Sequence, residues 1–148
     1  MSLWIESAVT FDRMQENGTV KRVTEKNLFD AISFTECEAR TVEEIAPFIS
    51  GEYTVKAVKK TKISEIFFDP LAEDRFYLVN VAFINLDEKS GAEKRTVTQI
   101  LVQATDFDCA VASFKEGMKG TMADFEIVSV AETPYMGVYP AKLSSDGE

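Results

Sequence analysis

The side chains in this chain that could do chemistry are carboxylates, lysines and two thiols, because histidine is absent from all 148 residues. Without imidazole there is no serine–histidine or cysteine–histidine nucleophile pair, no histidine general base, and none of the commonest metal ligand. Cys37 and Cys109 stand 72 residues apart and cannot make a zinc site by themselves. Each falls on a stretch read as helix, where a lone cysteine behaves as a small buried hydrophobe, so both thiols are expected to be reduced and buried. Neither GxGxxG nor GxxxxGK(S/T) occurs, which excludes phosphate cradles of those two kinds. Gly117 and Gly120, with Lys119 between them, have the spacing of a nucleic-acid-binding GxxG loop. They have equally the spacing of a helix-terminating turn, and the turn is the expected reading.

Two carboxylate groupings remain. Asp69, Glu73 and Asp74 cluster between the two halves of the chain, and Asp106 and Asp108 stand together at a helix start. Oxygen ligands for a divalent cation must converge in space; the plainer reading is a solvated linker and two acids favoured by the helix dipole. No catalytic residue, cofactor-binding residue or metal ligand is assigned.

The lysines offer a different chemistry. The chain carries 25 acidic against 16 basic residues, a net charge of -9, which argues against coating nucleic acid or an anionic membrane by bulk charge. Val55–Lys62 departs from that average. On a strand, Lys56, Lys60 and Lys62 would share one face, with Lys59 beside them and Lys21, Arg22 and Lys26 near if the second and third strands are neighbours. Lys56, Lys59, Lys60 and Lys62 are therefore the candidates for holding a single nucleic-acid strand. The competing reading is a sheet edge guarded by lysines against edge-to-edge pairing. A second candidate surface is apolar: Trp4, on the polar face of the first strand, together with Tyr135, Met136 and Tyr139 in the terminal segment.

These residues are positioned by a pattern that repeats. An offset of 72 takes Cys37 to Cys109, Trp4 to Phe76, Phe11 to Phe83, Tyr53 to Phe125 and Ile66 to Val138, and repetition at this length marks two copies of one supersecondary unit. In the first copy Leu3, Ile5, Val9 and Phe11 alternate with polar residues as a half-buried strand does. Asn17-Gly18 is a hairpin turn that readily takes positive φ, and a strand returns from Thr19 to Ala31, with a break expected near Lys26-Asn27. Ser33-Phe34-Thr35-Glu36 is a capping box opening a helix that Pro47 and Gly51 end. Strands at Tyr53 to Ala57 and Ile63 to Phe68 follow. The second copy runs from a strand apolar on both faces at Phe76–Ile84, through a charged tip at Asp87–Lys94 and a strand at Arg95–Ala104, to a helix capped by Thr105-Asp106-Phe107-Asp108. It closes with strands from Phe125 and along Ala131–Pro140. The match needs a one-residue slip in each second strand.

The expected architecture is α+β: two β-β-α-β repeats at about 4–68 and 76–140, forming one domain of mostly antiparallel sheet with two helices packed against it. A tail at 141–148 is expected to be disordered. No apolar run approaches the ~18 residues of a membrane span, and MSLWIESAVTFD lacks the basic start and apolar core of a signal peptide, so a cytoplasmic location is expected.

The stretches LFDAISFTECEARTVEEIAPFISGEYTV, FINLDEKSGAEKRTVTQILVQA and EGMKGTMADFEIVSVAETPYMGVYP resemble domain-of-unknown-function family 4494, small proteins of Bacteroides-type gut bacteria and their phages. The likeness covers nearly the whole chain. It implies a bacterial, intracellular protein of phage or mobile-element origin and transfers no catalytic or binding residue. The reading that follows is a non-enzymatic interaction module with a protein partner, a homodimer included. The alternatives are a nucleic-acid-binding accessory protein using the lysine strand and an enzyme using carboxylates and a divalent metal.

Overall fold

A computed structural model describes residues 3–69, 71–72 and 75–141. The expected tail beyond residue 141, and Glu73 and Asp74 of the linker carboxylates, lie outside the described residues. The elements are β1 (Leu3–Met14), β2 (Val20–Ala31), α1 (Phe34–Ile45) with a 3-10 turn at Ala46–Phe48, β3 (Tyr53–Lys60) and β4 (Ile63–Phe67). The second half follows as β5 (Phe76–Leu86), β6 (Glu93–Gln103), α2 (Phe107–Gly117), β7 (Asp124–Glu132) and β8 (Tyr135–Tyr139). They form two mixed four-stranded sheets, ordered β3-β1-β2-β8 and β4-β6-β5-β7, each accompanied by one helix.

The fold is α+β, and each sheet is a similar β-β-α-β-like unit, with an exchange that the residue pattern does not show. The closing strand of each repeat pairs in the other repeat's sheet: β8 lies parallel to β2, and β4 lies parallel to β6. The chain accordingly divides into one compact unit of Met1–Thr61 with Tyr135–Glu148, and a second of Lys62–Pro134.

The pairing details repeat as closely as the order does. The β1–β3 ladder bulges between Ala8 and Val9, and the β5–β7 ladder bulges between Asn80 and Val81, 72 residues later. Thr61 gives its amide and hydroxyl to the Trp4 carbonyl, and Thr133 does the same to Phe76. The break expected near Lys26-Asn27 is a register shift against β8, mirrored between Ile63 and Glu65 in the β4–β6 pair; β2 itself is continuous.

From the second strand through the helix, the offset is 73. Ser33 caps α1, its hydroxyl accepting from the Glu36 amide at 3.1 Å, whereas α2 is capped by Asp106, which accepts from the Cys109 amide at 2.8 Å. Thr105 is therefore not the cap, and Cys109 falls in the first turn of α2. The structural counterpart of Cys37 is Ala110, and both are fully buried. Cys109 is exposed, so the expectation that both cysteines are buried fails for it. An acid one residue further on satisfies the same unpaired amides at a helix start and rotates the whole helix register by one position.

Each unit has its own core under its helix. Ile5, Val9, Phe11, Phe29 and Ala31 pack with Cys37 and Ile45 in the first; Val79, Val81, Ile100 and Val102 pack with Phe114 and Met118 in the second. The first unit is more polar at matched positions. Thr41, whose hydroxyl donates to the Cys37 carbonyl and is hydrogen-bonded to the Ser7 hydroxyl, both at 2.8 Å, stands where the second unit has Phe114, itself against Phe67 and Phe125. At the β1–β2 turn only Gly18 has positive φ, +86°; Asn17 instead accepts from the Thr19 amide and hydroxyl.

Candidate interaction surfaces

The strand order separates the lysines that the sequence groups. β1 lies between β2 and β3, and β3 is an edge of its sheet. The bulge opposite Ala8 and Val9 absorbs Lys56 and breaks the alternation there, since Ala57 pairs with Ala8 and Val55 with Val9. Lys56 then lines a hollow of about 240 Å³ with Thr10, Arg22 and Thr54. Lys59 reaches Glu6, and Lys60 lies on the opposite face, over the Phe34 ring at 6.0 Å. Lys62 belongs to the second unit. The expectation that Lys56, Lys60 and Lys62 share one face is thus overturned by one extra residue in an edge strand.

The most integrated polar group centres on Glu6, which is 8 % exposed. Tyr135 donates its hydroxyl to Glu6 Oε1 at 2.8 Å, and Lys59 and Lys26 approach Oε2 at 3.6 and 3.9 Å. Burial, then the hydrogen bond to the Glu6 carboxylate, push the Tyr135 hydroxyl well above the usual tyrosine range. The exchange of β8 brings Tyr135 here, 129 residues from Glu6 in sequence. At matched positions the second unit has Leu78 and Ile63, both apolar.

Of the terminal aromatics, Tyr139 stacks on Phe29 at 4.8 Å between centroids and is half-buried, as are Trp4 and Tyr135. Met136 is the exposed one, on the edge strand β8. Arg40 lies over the other aromatic pair member, Phe29, at 5.5 Å, and donates to the Asp30 and Pro140 carbonyls at 3.2 and 3.0 Å. The two thiols differ. Burial pushes Cys37 up to about 11, while exposed Cys109 is raised by its contact with Asp106, whose own carboxyl is held low by the Cys109 amide.

Two further surfaces escape the sequence pattern. Beside the α1 terminus a hollow of about 320 Å³ is lined by Phe11, Ile45, Phe48 and Ile49, with Arg13 and Glu25 at its rim. Arg13 and Glu25 form an ion pair. Phe48 is 86 % exposed and Met14 is 73 % exposed; Met14 pairs across the hairpin with Val20, also exposed. In the second unit a hollow of about 490 Å³ runs along β4 and α2, lined by Phe67, Phe68, Asp69, Gln103, Ser113, Glu116 and Gly117, with Ile66 at its end. Gly117 is required there, since a Cβ would come within 2.6 Å of the Phe67 ring. Among the described residues no group of three cysteine, aspartate or glutamate side chains converges to hold a metal ion, and no helix is long and apolar enough to cross a membrane.

The fold and surfaces define an α+β protein of two similar units, each sheet completed by a strand from the other half of the chain. The chain belongs to the family described as Domain of unknown function (DUF4494), whose model matches residues 3–141. No curated protein and no solved structure matches it.

Proposed function

We propose that this protein is a non-enzymatic interaction module of bacterial, phage or mobile-element origin, working in the cytoplasm and binding a protein partner through the end of the first unit. One observation carries the reading: Phe48 and Met14 are large apolar side chains left exposed in the lining of a hollow that they share with Phe11, Ile45 and Ile49. An aromatic residue at a shallow hollow with a charged rim is the usual anatomy of an anchor at a protein interface. The groups with chemical potential support the same reading, because Glu6 is already engaged by Tyr135, Lys26 and Lys59.

The test is affinity purification from the native host with the unaltered chain and with Phe48→Ser combined with Met14→Ser. The expected result is a discrete protein retained by the first bait and lost with the second, whose circular dichroism is unchanged. An identical set of partners for both baits refutes the site. A nuclease-sensitive catch lost instead on changing Arg22 and Lys56 to Glu replaces the reading with nucleic-acid binding, which the hollow shared by Arg22, Lys56, Thr10 and Thr54 favours.

A further inference from the structure

The two units place different residues at one equivalent position, seven after the helix cap: Arg40 after Ser33 in α1, and Ser113 after Asp106 in α2. The neighbouring helix positions confirm the match. Cys37 and Ala110 are both fully buried, Thr41 and Phe114 are both buried, and Ile45 and Met118 are equally buried. Strand register supplies the surroundings. Lys26 pairs with Tyr135 as Gln99 pairs with Ile63, and Phe29 with Tyr139 as Val102 with Phe67. Stepping one residue along each strand, the Asp30 and Pro140 carbonyls that Arg40 caps correspond to the main-chain carbonyls of Gln103 and Phe68.

In the first unit the guanidinium fills this corner, only 8 % exposed, and binds both carbonyls while lying over an aromatic ring. In the second unit the corner is the 490 Å³ hollow beside Ser113. Among the described residues its lining carries two acids, Asp69 and Glu116, and no lysine or arginine; Glu116 is otherwise paired with Lys119 at 2.9 Å at the surface. Phe67 and half-exposed Phe68 supply ring faces.

The geometry points to this hollow as a docking site for an arginine side chain presented by a partner protein, which takes the place that Arg40 takes within the first unit. A guanidinium suits it because a planar fork reaches two separate carbonyls at once, which a single ammonium does not, and it stacks on aromatic faces. The acidic lining favours a cation, and exclusion of an in-chain arginine by Ser113 leaves the space. The site lies in the second unit and does not depend on the surface around Phe48.

The test is an amide-resolved NMR titration of the full chain with the capped tripeptide acetyl-Gly-Arg-Gly-amide and its lysine counterpart. The arginine peptide is expected to shift Phe68, Gln103, Ser113 and Gly117 with a Kd on the order of millimolar, as befits one side chain, and the lysine peptide to bind several-fold more weakly. Ser113→Arg gives the second unit its own guanidinium and is expected to abolish those shifts; Ser113→Met, which fills the hollow with an apolar chain, does the same should the arginine variant not fold. Glu116→Gln weakens binding by about twofold to fivefold. The absence of localised shifts, equal binding of the lysine peptide, or unchanged binding by both folded Ser113 variants overturns the proposal. Self-association of the unaltered chain that Ser113→Arg breaks would assign the arginine to a second copy and overturn the partner.

Discussion

Replacing Arg40 by Met isolates what its guanidinium contributes, because Met keeps an unbranched apolar stem along the Phe29–Tyr139 stack. Two charge-assisted hydrogen bonds are lost, to Asp30 at 3.2 Å and Pro140 at 3.0 Å. Hydrogen bonds to a charged group contribute about 1.5–3 kcal/mol each. Pro140 is exposed, so water replaces its lost donor; the Asp30 carbonyl, under a buried side chain, recovers less. The contact with Phe29 adds about 0.5–1 kcal/mol. Against this, the variant no longer desolvates a cation, some of whose cost is visible in Arg40 Nε, which has no hydrogen-bond partner among the described residues. A net loss of about 2–3 kcal/mol follows. With a urea m-value of roughly 2 kcal/mol/M, the midpoint moves down by about 1–1.5 M. Trp4 is the single tryptophan and lies in the first unit, so its fluorescence follows that unit's unfolding. A midpoint that stays within about 0.2 M of the unaltered chain, with the same m, would mean that desolvation cancels the hydrogen bonds, and the account of Arg40 as the plug of this corner would fall.

At pH 8 a disulfide reagent should label one thiol per native chain rapidly, exposed Cys109, with Cys37 reacting only on unfolding; Asp106→Asn should speed the Cys109 reaction by removing the carboxylate that raises its pKa. Two rapidly labelled thiols would contradict the burial of Cys37. Because Tyr135 keeps its proton in the folded state, stability is fully present below the ordinary tyrosine pKa of about 10 and falls as pH rises beyond it, the unfolded chain releasing a proton that the folded chain retains. Cys37 adds a loss of the same sign between 9.0 and about 11; Tyr135→Phe should flatten the part above pH 10, and equal slopes for both proteins would refute the assignment. For nucleic acid, the division of Lys56 and Lys59 from Lys60 between the two faces of β3 predicts weak or no binding. Submicromolar anisotropy binding of a single-stranded oligonucleotide at about 0.15 M salt, lost when Lys56, Lys59, Lys60 and Lys62 become Glu, would reverse that conclusion.

The elements were legible along the chain because they are written in local physics. Alternation marks β1, a glycine able to take positive φ marks the hairpin, and Ser33 marks the start of α1. The near-72 spacing marked two similar units, and their ladders bulge at matching places, Ala8/Val9 and Asn80/Val81. The side of a helix that a residue faces was less secure. A one-residue choice between Thr105 and Asp106 as cap decided whether Cys109 or Ala110 entered the core, and both residues can accept from the same amides. The lysine face failed for a similar reason, since a bulge is one unpaired residue with no signature of its own in Val55–Lys62.

Strand exchange was not legible at all. A β-strand's own residues specify that it is extended and which face is apolar, and β4 and β8, being similar in pattern, fit either sheet; only pairing against a whole ladder selects between them. That selection brings Tyr135 to Glu6 and Pro140 to Arg40, and it lays Phe67 against Gly117 beside the hollow at Ser113. The sequence by itself determined the inventory of elements and their order, because each element rests on spacings within a few turns of chain. Only the tertiary structure decided which distant residues share a site, because that depends on free energy summed over contacts far apart in sequence.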